Sequence, residues 1–327
     1  MDNLRLIPDI RSEADFLAAA LELFRLHFEG NPVYRKFAEG IGADPAGILG
    51  LKQIPFLPIE LFKTHDILRQ GFVAGEIFLS SGTAGMERSR HLVADPGLYR
   101  GSVLSGFRHF YGSPSEYRFL ALTPTPEQHP SSSLIRMIAS LMEESGGTDH
   151  GFFLDDLPGL QRELLRPARK GRTNFLIGLT HAILDFSEQF PGKYAGLIVA
   201  ETGGMKGRRV EMVREELHER LCMAFGLTLI HSEYGMTELF SQAWSKGGGI
   251  YRPVPWMKIL IREITDPFSY RDYGKTGGIC IIDLANRHSC PFIATQDLGR
   301  LNADGSFEVL GRFDASDARG CSLMIGE

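Results

Sequence analysis

Apolar positions recur along the chain with a helical period first, then as short runs spaced by helices, then as short runs spaced by turns. In the first stretch Phe16, Leu17, Ala20, Leu23, Phe24 and Phe28 follow one another at helical spacing. Ser12, with Asp15 three residues on, supplies a capping box for that helix. Asn31-Pro32 ends it, because the residue before a proline is driven out of the helical region. Ile54-Pro55-Phe56-Leu57-Pro58-Ile59 holds too much proline for a helix or a central strand and reads as an extended segment crossing the surface of the core.

From about residue 77 the pattern alternates. Apolar runs predict strands at 77–79, 119–122, 175–179, 197–200 and 227–230, with helices between them at 132–143, 181–190 and 208–224. Such alternation, with strands apolar on both faces, predicts an α/β fold: largely parallel sheet flanked by helices. After Gly247-Gly248-Gly249 the texture changes. Runs at 257–261, 279–283 and 307–310 are separated by glycine and aspartate turns, as in a small β-rich subdomain. The expected organisation is a helical N-terminal segment over 1–76, an α/β nucleotide-binding core over 77–245, a β-rich subdomain over 246–311 and a tail over 312–327, forming one compact domain overall.

Composition narrows this picture by exclusion. A net charge of −5 and a pI near 6.1 argue against a general binder of nucleic acid or anionic membranes, which would need a basic face. No apolar run is long enough to span a bilayer, and the N-terminus lacks a basic segment followed by an apolar one. Cys222, Cys280, Cys290 and Cys321 lie too far apart for zinc-type spacing, so reduced thiols in a cytoplasmic protein are expected.

Candidate chemistry sits in segments that follow the predicted strands. His231-Ser232-Glu233-Tyr234-Gly235-Met236-Thr237-Glu238 combines a flat ring, a hydroxyl and a carboxylate around a glycine, after the predicted strand 227–230. A ring stacks on a base, a hydroxyl reaches a phosphate and a carboxylate holds magnesium. Ser80-Ser81-Gly82-Thr83-Ala84-Gly85 offers converging backbone N–H groups and hydroxyls to an anion, with Arg88 or Arg90 nearby, or it is an ordinary Ser/Gly turn. It matches neither the P-loop nor the dinucleotide fingerprint. Glu201-Thr202-Gly203-Gly204 either lets backbone lie flat against a ligand ring or simply turns into the next helix. Asp297, in Thr295-Gln296-Asp297, either accepts from a ribose diol or caps a turn.

Taken together, and in this order, Ser-Ser-Gly-Thr-Ala-Gly, Gly-Gly, Tyr-Gly-Met-Thr-Glu, Thr-x-Asp and Gly311-Arg312-Phe313-Asp314 resemble the adenylate-forming superfamily of acyl-CoA synthetases and luciferases. Within it, Ile54–Lys63, the serine-first loop and Arg319-Gly320-Cys321-Ser322-Leu323 resemble the acyl-protein synthetases of the LuxE type. The likeness implies ATP and magnesium as cofactors and a carboxylic acid, expected to be fatty, as substrate. It implies that Ser80, Ser81, Gly82, Thr83 and Gly85 bind the pyrophosphate part of ATP, and Arg88 beside them is a further cofactor-binding candidate by its charge. Gly203, Gly204 and Tyr234 would flank adenine, Thr237 would touch the α-phosphate and Glu238 would hold the metal. Asp297 and Arg312 would bind ribose, and Cys321 would accept the acyl group. His181, which opens a helix after a strand, and His231 are the acyl-pocket candidates; structural roles remain open for both.

The superfamily carries a C-terminal lid with a lysine after Gly-Arg-x-Asp. Too few residues follow that motif here, so the expectation is adenylation without the lid lysine, or with Arg88 or Lys206 in its place. The LuxE likeness also implies acyl reductase and acyltransferase partners. Two other readings stand beside it: a phenylacetate-type acid–CoA ligase, and a nucleotide-binding partner of a reductase without catalysis of its own.

Overall fold

The computed structural model describes residues 7–81, 87–166, 171–204, 212–266 and 268–313. These fall into two compact units. One draws on the described parts of 1–99, 238–241 and 252–327, the other on those of 100–237 and 242–251.

The first unit opens with α1 (Glu13–Gly30). The Ser12 hydroxyl accepts from the Asp15 N–H at 3.1 Å, and Phe16, Ala20, Leu23, Phe24 and His27 form its buried stripe. Asn31 serves two helices. Its N–H donates to the His27 carbonyl at 2.9 Å, closing α1, and its side chain accepts from the Tyr34 N–H at 3.2 Å, opening α2 (Pro32–Gly40). The proline-rich segment lies in the core of the unit rather than on its surface. Ile54, Phe56, Leu57 and Ile59 are buried, and β1 (Leu57–Pro58) pairs with a later strand. Each such aliphatic or aromatic side chain contributes about 1.5–3 kcal/mol when fully buried. The short α3 (Leu61–Thr64) follows.

β2 (Glu76–Leu79) and β3 (Arg90–Val93) form an antiparallel pair. The run at 77–79 is therefore one arm of a two-stranded hairpin, not a strand of the parallel sheet. Its Ile77 is 46% exposed, so the apolar run marks a one-sided strand. α4 (Pro96–Tyr111) begins in the first unit and continues in the second.

In the second unit β4 (Tyr117–Leu122), α5 (Ser133–Ser145), β5 (Gly151–Phe152), α6 (Leu157–Leu165), β6 (Thr173–Leu179), α7 (Thr180–Gln189), β7 (Ile198–Thr202), α8 (Arg214–Phe225), β8 (His231–Tyr234), β9 (Ala243–Ser245) and β10 (Ile250–Tyr251) follow in turn. A six-stranded sheet runs in the order β5-β4-β6-β7-β8-β9, parallel except for β9. The apolar strands expected near 119, 175 and 197 are its centre. Leu120, Leu122, Leu176 and Val199 pack with Ile183 and Phe186 of α7 and Leu217, Leu221 and Phe225 of α8. The fifth expected strand is displaced. The strand occupies His231–Tyr234, while Leu229, in the run expected to be buried, is 44% exposed.

The chain then returns to the first unit with β11 (Met257–Arg262), β12 (Thr276–Asp283), β13 (Phe292–Leu301) and β14 (Phe307–Arg312). These run antiparallel in the order β11-β12-β13-β14, and β1 adds to β13 in parallel. Among the described residues no helix is long and apolar enough to cross a membrane.

Candidate functional site

In the first unit the β2–β3 hairpin narrows at a serine pair. The Ser80 N–H donates to the Ser89 carbonyl at 3.1 Å, and the Ser89 N–H donates to the Ser80 hydroxyl at 2.9 Å. Ser80 thus closes the neck of the hairpin, with exposed Ser81 and Arg88 just beyond it. Gly82, Thr83 and Gly85 lie outside the described residues. The Ser89 hydroxyl reaches the carboxylate of Glu238, which is 4% exposed. Burial raises the Glu238 pKa. Asp297 adds to the rise, and Ser89, the residue's own backbone and Arg312 only partly oppose it. Asp297 and Arg312 are register partners on β13 and β14, and Arg312 Nε donates to Asp297 Oδ1 at 3.2 Å. Glu238, Ser89, Asp297 and Arg312 therefore form one electrostatic group in this unit.

Glu238 and the residues after it rest on a seat made at the end of β12. Asp283 is fully buried and accepts from the Phe240 N–H at 2.8 Å, the Ser241 N–H at 2.9 Å and the Ser241 hydroxyl at 2.6 Å. Burial raises its pKa even against those donors. Asn286 donates to the Glu238 carbonyl at 2.9 Å and the Cys290 carbonyl at 2.8 Å, and its Oδ1 lies 3.2 Å from His91 Nε2 on β3.

The second unit gathers polar groups at the carboxyl ends of its parallel strands, where open α/β sheets bind ligands. Glu201 ends the apolar run of β7. Burial works against its charge, yet His218, Arg214, Ser232 and Thr180 outweigh it and hold the pKa below the ordinary range. Thr180, at the start of α7, donates to Glu201 Oε2 at 2.6 Å. Glu233, on β8, accepts from the Thr202 hydroxyl, and burial together with the neighbouring Glu201 raises its pKa to about 7. A Cβ at Gly235 would lie 2.4 Å from Glu233 Oε1, so glycine there lets the chain pass over this carboxyl. Tyr234 is buried on β8 with its ring 5.9 Å from that of Tyr251, and Thr237 is half-buried. Gly203 and Gly204 are exposed after β7, and Gly203 takes a φ of +76° that favours glycine.

His231 is buried with its Nδ1 2.9 Å from the Tyr111 hydroxyl. Burial, Lys246 and His218 lower its pKa to about 4, and burial raises that of Tyr111, so the phenol donates to a neutral imidazole. His181 is buried in the first turn of α7.

No family model matches the chain, and no curated protein matches it. Solved structures do resemble it. An open conformation of 2-hydroxyisobutyryl-CoA ligase, in complex with 2-HIB-AMP and CoA, superposes with a TM-score of 0.65 at 13% identity, over 93% of this chain and 75% of that one. The same ligase in the postadenylation state gives 0.65 at 14% identity, over 95% and 70%. ATP-bound MatB from Rhodopseudomonas palustris gives 0.55 at 16% identity, over 72% of this chain; the match spans about half, 47%, of MatB. The fold is that of the adenylate-forming ligases.

On that fold, the residues expected to bind ligand divide between the two units. Ser80, Ser81, Arg88, Glu238, Asp297 and Arg312 belong to the first, and His181, Gly203, Gly204, His231, Tyr234 and Thr237 to the second. Tyr234 lies within strand β8, and the loop that leaves the strand starts at Gly235. Cys321 and Lys206 lie outside the described residues. Cys280 and Cys290 are buried and Cys222 is half-buried, in keeping with packing.

The pattern of motifs passed over Ser89, His91, Asp283 and Asn286. Only Asp283 carried a signal: a charged residue directly ending the apolar run 279–282. For a divalent cation the first unit offers Glu238, a buried carboxylate whose charge its neighbours only partly offset, whereas the equally buried Asp283 already holds the N–H groups of Phe240 and Ser241. No group of three or more His, Cys, Asp or Glu side chains that could hold a metal occurs among the described residues. One carboxylate fits a magnesium ion that arrives on a triphosphate, since magnesium commonly takes one or two protein carboxylates plus phosphate oxygens and water.

Proposed function

We propose that this protein is an ATP-dependent ligase that activates a carboxylic acid as its acyl-adenylate and passes the acyl group to a thiol. A carboxylate is a poor electrophile because it has no leaving group. Its oxygen attacks the α-phosphorus of ATP, the bond from that phosphorus to the bridging oxygen breaks, and pyrophosphate departs with the electron pair. No proton moves, so the work is alignment and charge neutralisation.

In this reading Ser80, Ser81, Gly82, Thr83, Gly85 and Arg88 bind the departing pyrophosphate. Thr237 donates to the α-phosphate, Gly203, Gly204 and Tyr234 flank adenine, and Asp297 and Arg312 hold the ribose. Glu238 holds magnesium, which when bound would offset charge on the phosphates. His231 and His181 line the acyl pocket. His231, neutral above pH 4, serves there as an uncharged polar wall and not as a cationic partner for the carboxylate. The single observation that carries the reading is Glu238: a buried carboxylate with a raised pKa, beside the Ser89 foot of the serine-rich loop and the Asp297–Arg312 pair.

The acceptor follows from the likeness to acyl-protein synthetases. The Cys321 sulfur attacks the acyl carbon, the C–S bond forms, the bond to AMP oxygen breaks, and the thiol proton passes to water. A fatty acid is the substrate class and a reductase the consumer of the thioester. A second reading draws on the 2-hydroxyisobutyryl-CoA ligase neighbour, whose complex contains CoA: the acyl-adenylate is intercepted by coenzyme A.

The deciding experiment is ATP–pyrophosphate exchange with a panel of carboxylic acids. Exchange that depends on the acid and falls about 100-fold or more in Glu238→Gln is expected, as for loss of a group that offsets transition-state charge. Acid-independent exchange, or none, refutes adenylation. Labelling with radioactive acid then separates the acceptors. A hydroxylamine-labile label lost in Cys321→Ser identifies the protein thiol, and CoA-dependent AMP release without label identifies the ligase.

A further inference from the structure

We propose that His91 and Asn286 are positioning residues that fix Glu238 for its metal, His91 acting from β3 two residues beyond Ser89. This rests on the magnesium role assigned to Glu238 above.

Alternate residues of a strand face the same side. Ser89 and His91 are both buried, and Arg90 between them is exposed. Ser89 touches the Glu238 carboxylate, and His91 touches Asn286, which holds the Glu238 carbonyl. Ser89, just before β3, and His91 within it thus reach both ends of the same residue. Asn286 is fully buried, and both of its N–H groups are used, on the carbonyls of Glu238 and Cys290. Its oxygen is therefore the acceptor facing His91, and His91 must carry a proton on Nε2. An amide with all three partners satisfied has one orientation, and it transmits that orientation to the carbonyl it grips.

Ser80 and Ser89, which directly follow β2 and precede β3, form the neck of the hairpin. His91 therefore ties the position of that neck to the position of Glu238. A group that must meet both a metal and a phosphate gains from such a tie, because small misplacements of reacting groups are costly.

Two substitutions separate positioning from packing. The His91 ring contacts those of Phe62, Phe78 and Phe240, at 5.8, 6.4 and 5.2 Å. His91→Phe keeps an aromatic ring among these neighbours and removes the donor. His91→Gln keeps an N–H donor and removes the ring. The readouts are urea unfolding and binding of Mn2+, by its paramagnetic resonance signal, in the presence of α,β-methylene-ATP.

Positioning predicts opposite orders. Stability follows the ring, with wild type and His91→Phe above His91→Gln. Mn2+ affinity follows the donor, with His91→Gln near wild type and His91→Phe weakened about fivefold or more, the scale of losing one hydrogen bond of about 1 kcal/mol. Asn286→Asp, which replaces a donor by an acceptor facing two carbonyls, weakens Mn2+ binding as well. Affinity that tracks stability, or that stays unchanged in all three variants, overturns the inference. A wild-type chain that binds no Mn2+ with the nucleotide overturns the metal role itself, a failure separate from equal binding by wild type and variants.

Discussion

The two units solve the same problem, a carboxylate buried away from water, in opposite ways. In the second unit the answer is side chains. Glu201 is held ionised by a ring of His218, Arg214, Ser232 and Thr180, and its neighbour Glu233 is left closer to neutral with a pKa of about 7. Two like charges this close cannot both ionise cheaply, so the environment splits them. In the first unit the answer is backbone. Asp283 is spent on the N–H groups of Phe240 and Ser241, and Asn286 on the Glu238 carbonyl, while Ser89, the residue's own backbone and the pull of Arg312 leave the Glu238 carboxylate with a raised pKa. A saturated carboxylate is a structural group. An undersupplied one is open to a further partner, and under the proposed function the Glu238 carboxylate takes a metal ion as that partner.

The strongest way to break the contrast is to remove the seat. Asp283→Ala leaves the N–H groups of Phe240 and Ser241 without their acceptor in a fully buried place. We expect a loss of about 3–5 kcal/mol in the stability of the first unit, from lost charge-assisted bonds and orphaned donors. The chain offers its own reporter. Its two tryptophans fall one to each unit, and Trp256 of the first donates from Nε1 to the Ser241 hydroxyl at 2.9 Å. Denaturant unfolding followed by Trp256 fluorescence in a Trp244→Phe background reads the loss directly. A midpoint unchanged by Asp283→Ala would mean that the seat does not hold this segment.

How far the sequence reveals these arrangements differs between them for a physical reason. β4, β6 and β7 are legible because their side chains are apolar on both faces, as the centre of a parallel sheet requires. β8 is not. Its four residues, His231 to Tyr234, are polar yet buried, and their partners Tyr111, His218 and Thr202 come from elsewhere in the chain. A hydropathy pattern therefore sets the strand one element early, on Leu227 to Ile230. β13 is hidden in the same way by Thr295, Gln296 and Asp297.

The site divides similarly. Glu238, Asp297 and Arg312 are visible because each lies in a short motif with its own composition. His91 and Asn286 are separated by 195 positions and have ordinary neighbours, so only the folded chain brings them to Glu238. Gly235 is legible as a glycine, but the Glu233 carboxyl that a Cβ there would meet is not.

A smaller effect sharpens the other side of the comparison. Because the Glu233 pKa is raised from 4.5 to about 7, the folded chain holds this proton more tightly than the unfolded one. Between pH 4.5 and 7 the native state binds more protons, so stability contributed at this position is full below pH 4.5, falls as pH rises and levels off above about 7. Glu233→Gln keeps an acceptor for the Thr202 hydroxyl and cannot ionise. At pH 4 it should match the wild type closely. At pH 8 it should be more stable by about 2 kcal/mol, part of the upper bound set by the shift. Trp244 is the register partner of Glu233 on β9, so its fluorescence in a Trp256→Phe background reports on this strand pair. A gain equal at both pH values would show that the substitution acts through packing. A loss at pH 8 would show that Glu233 is ionised and paired, and the distinction drawn between the carboxylates of the two units would then fall.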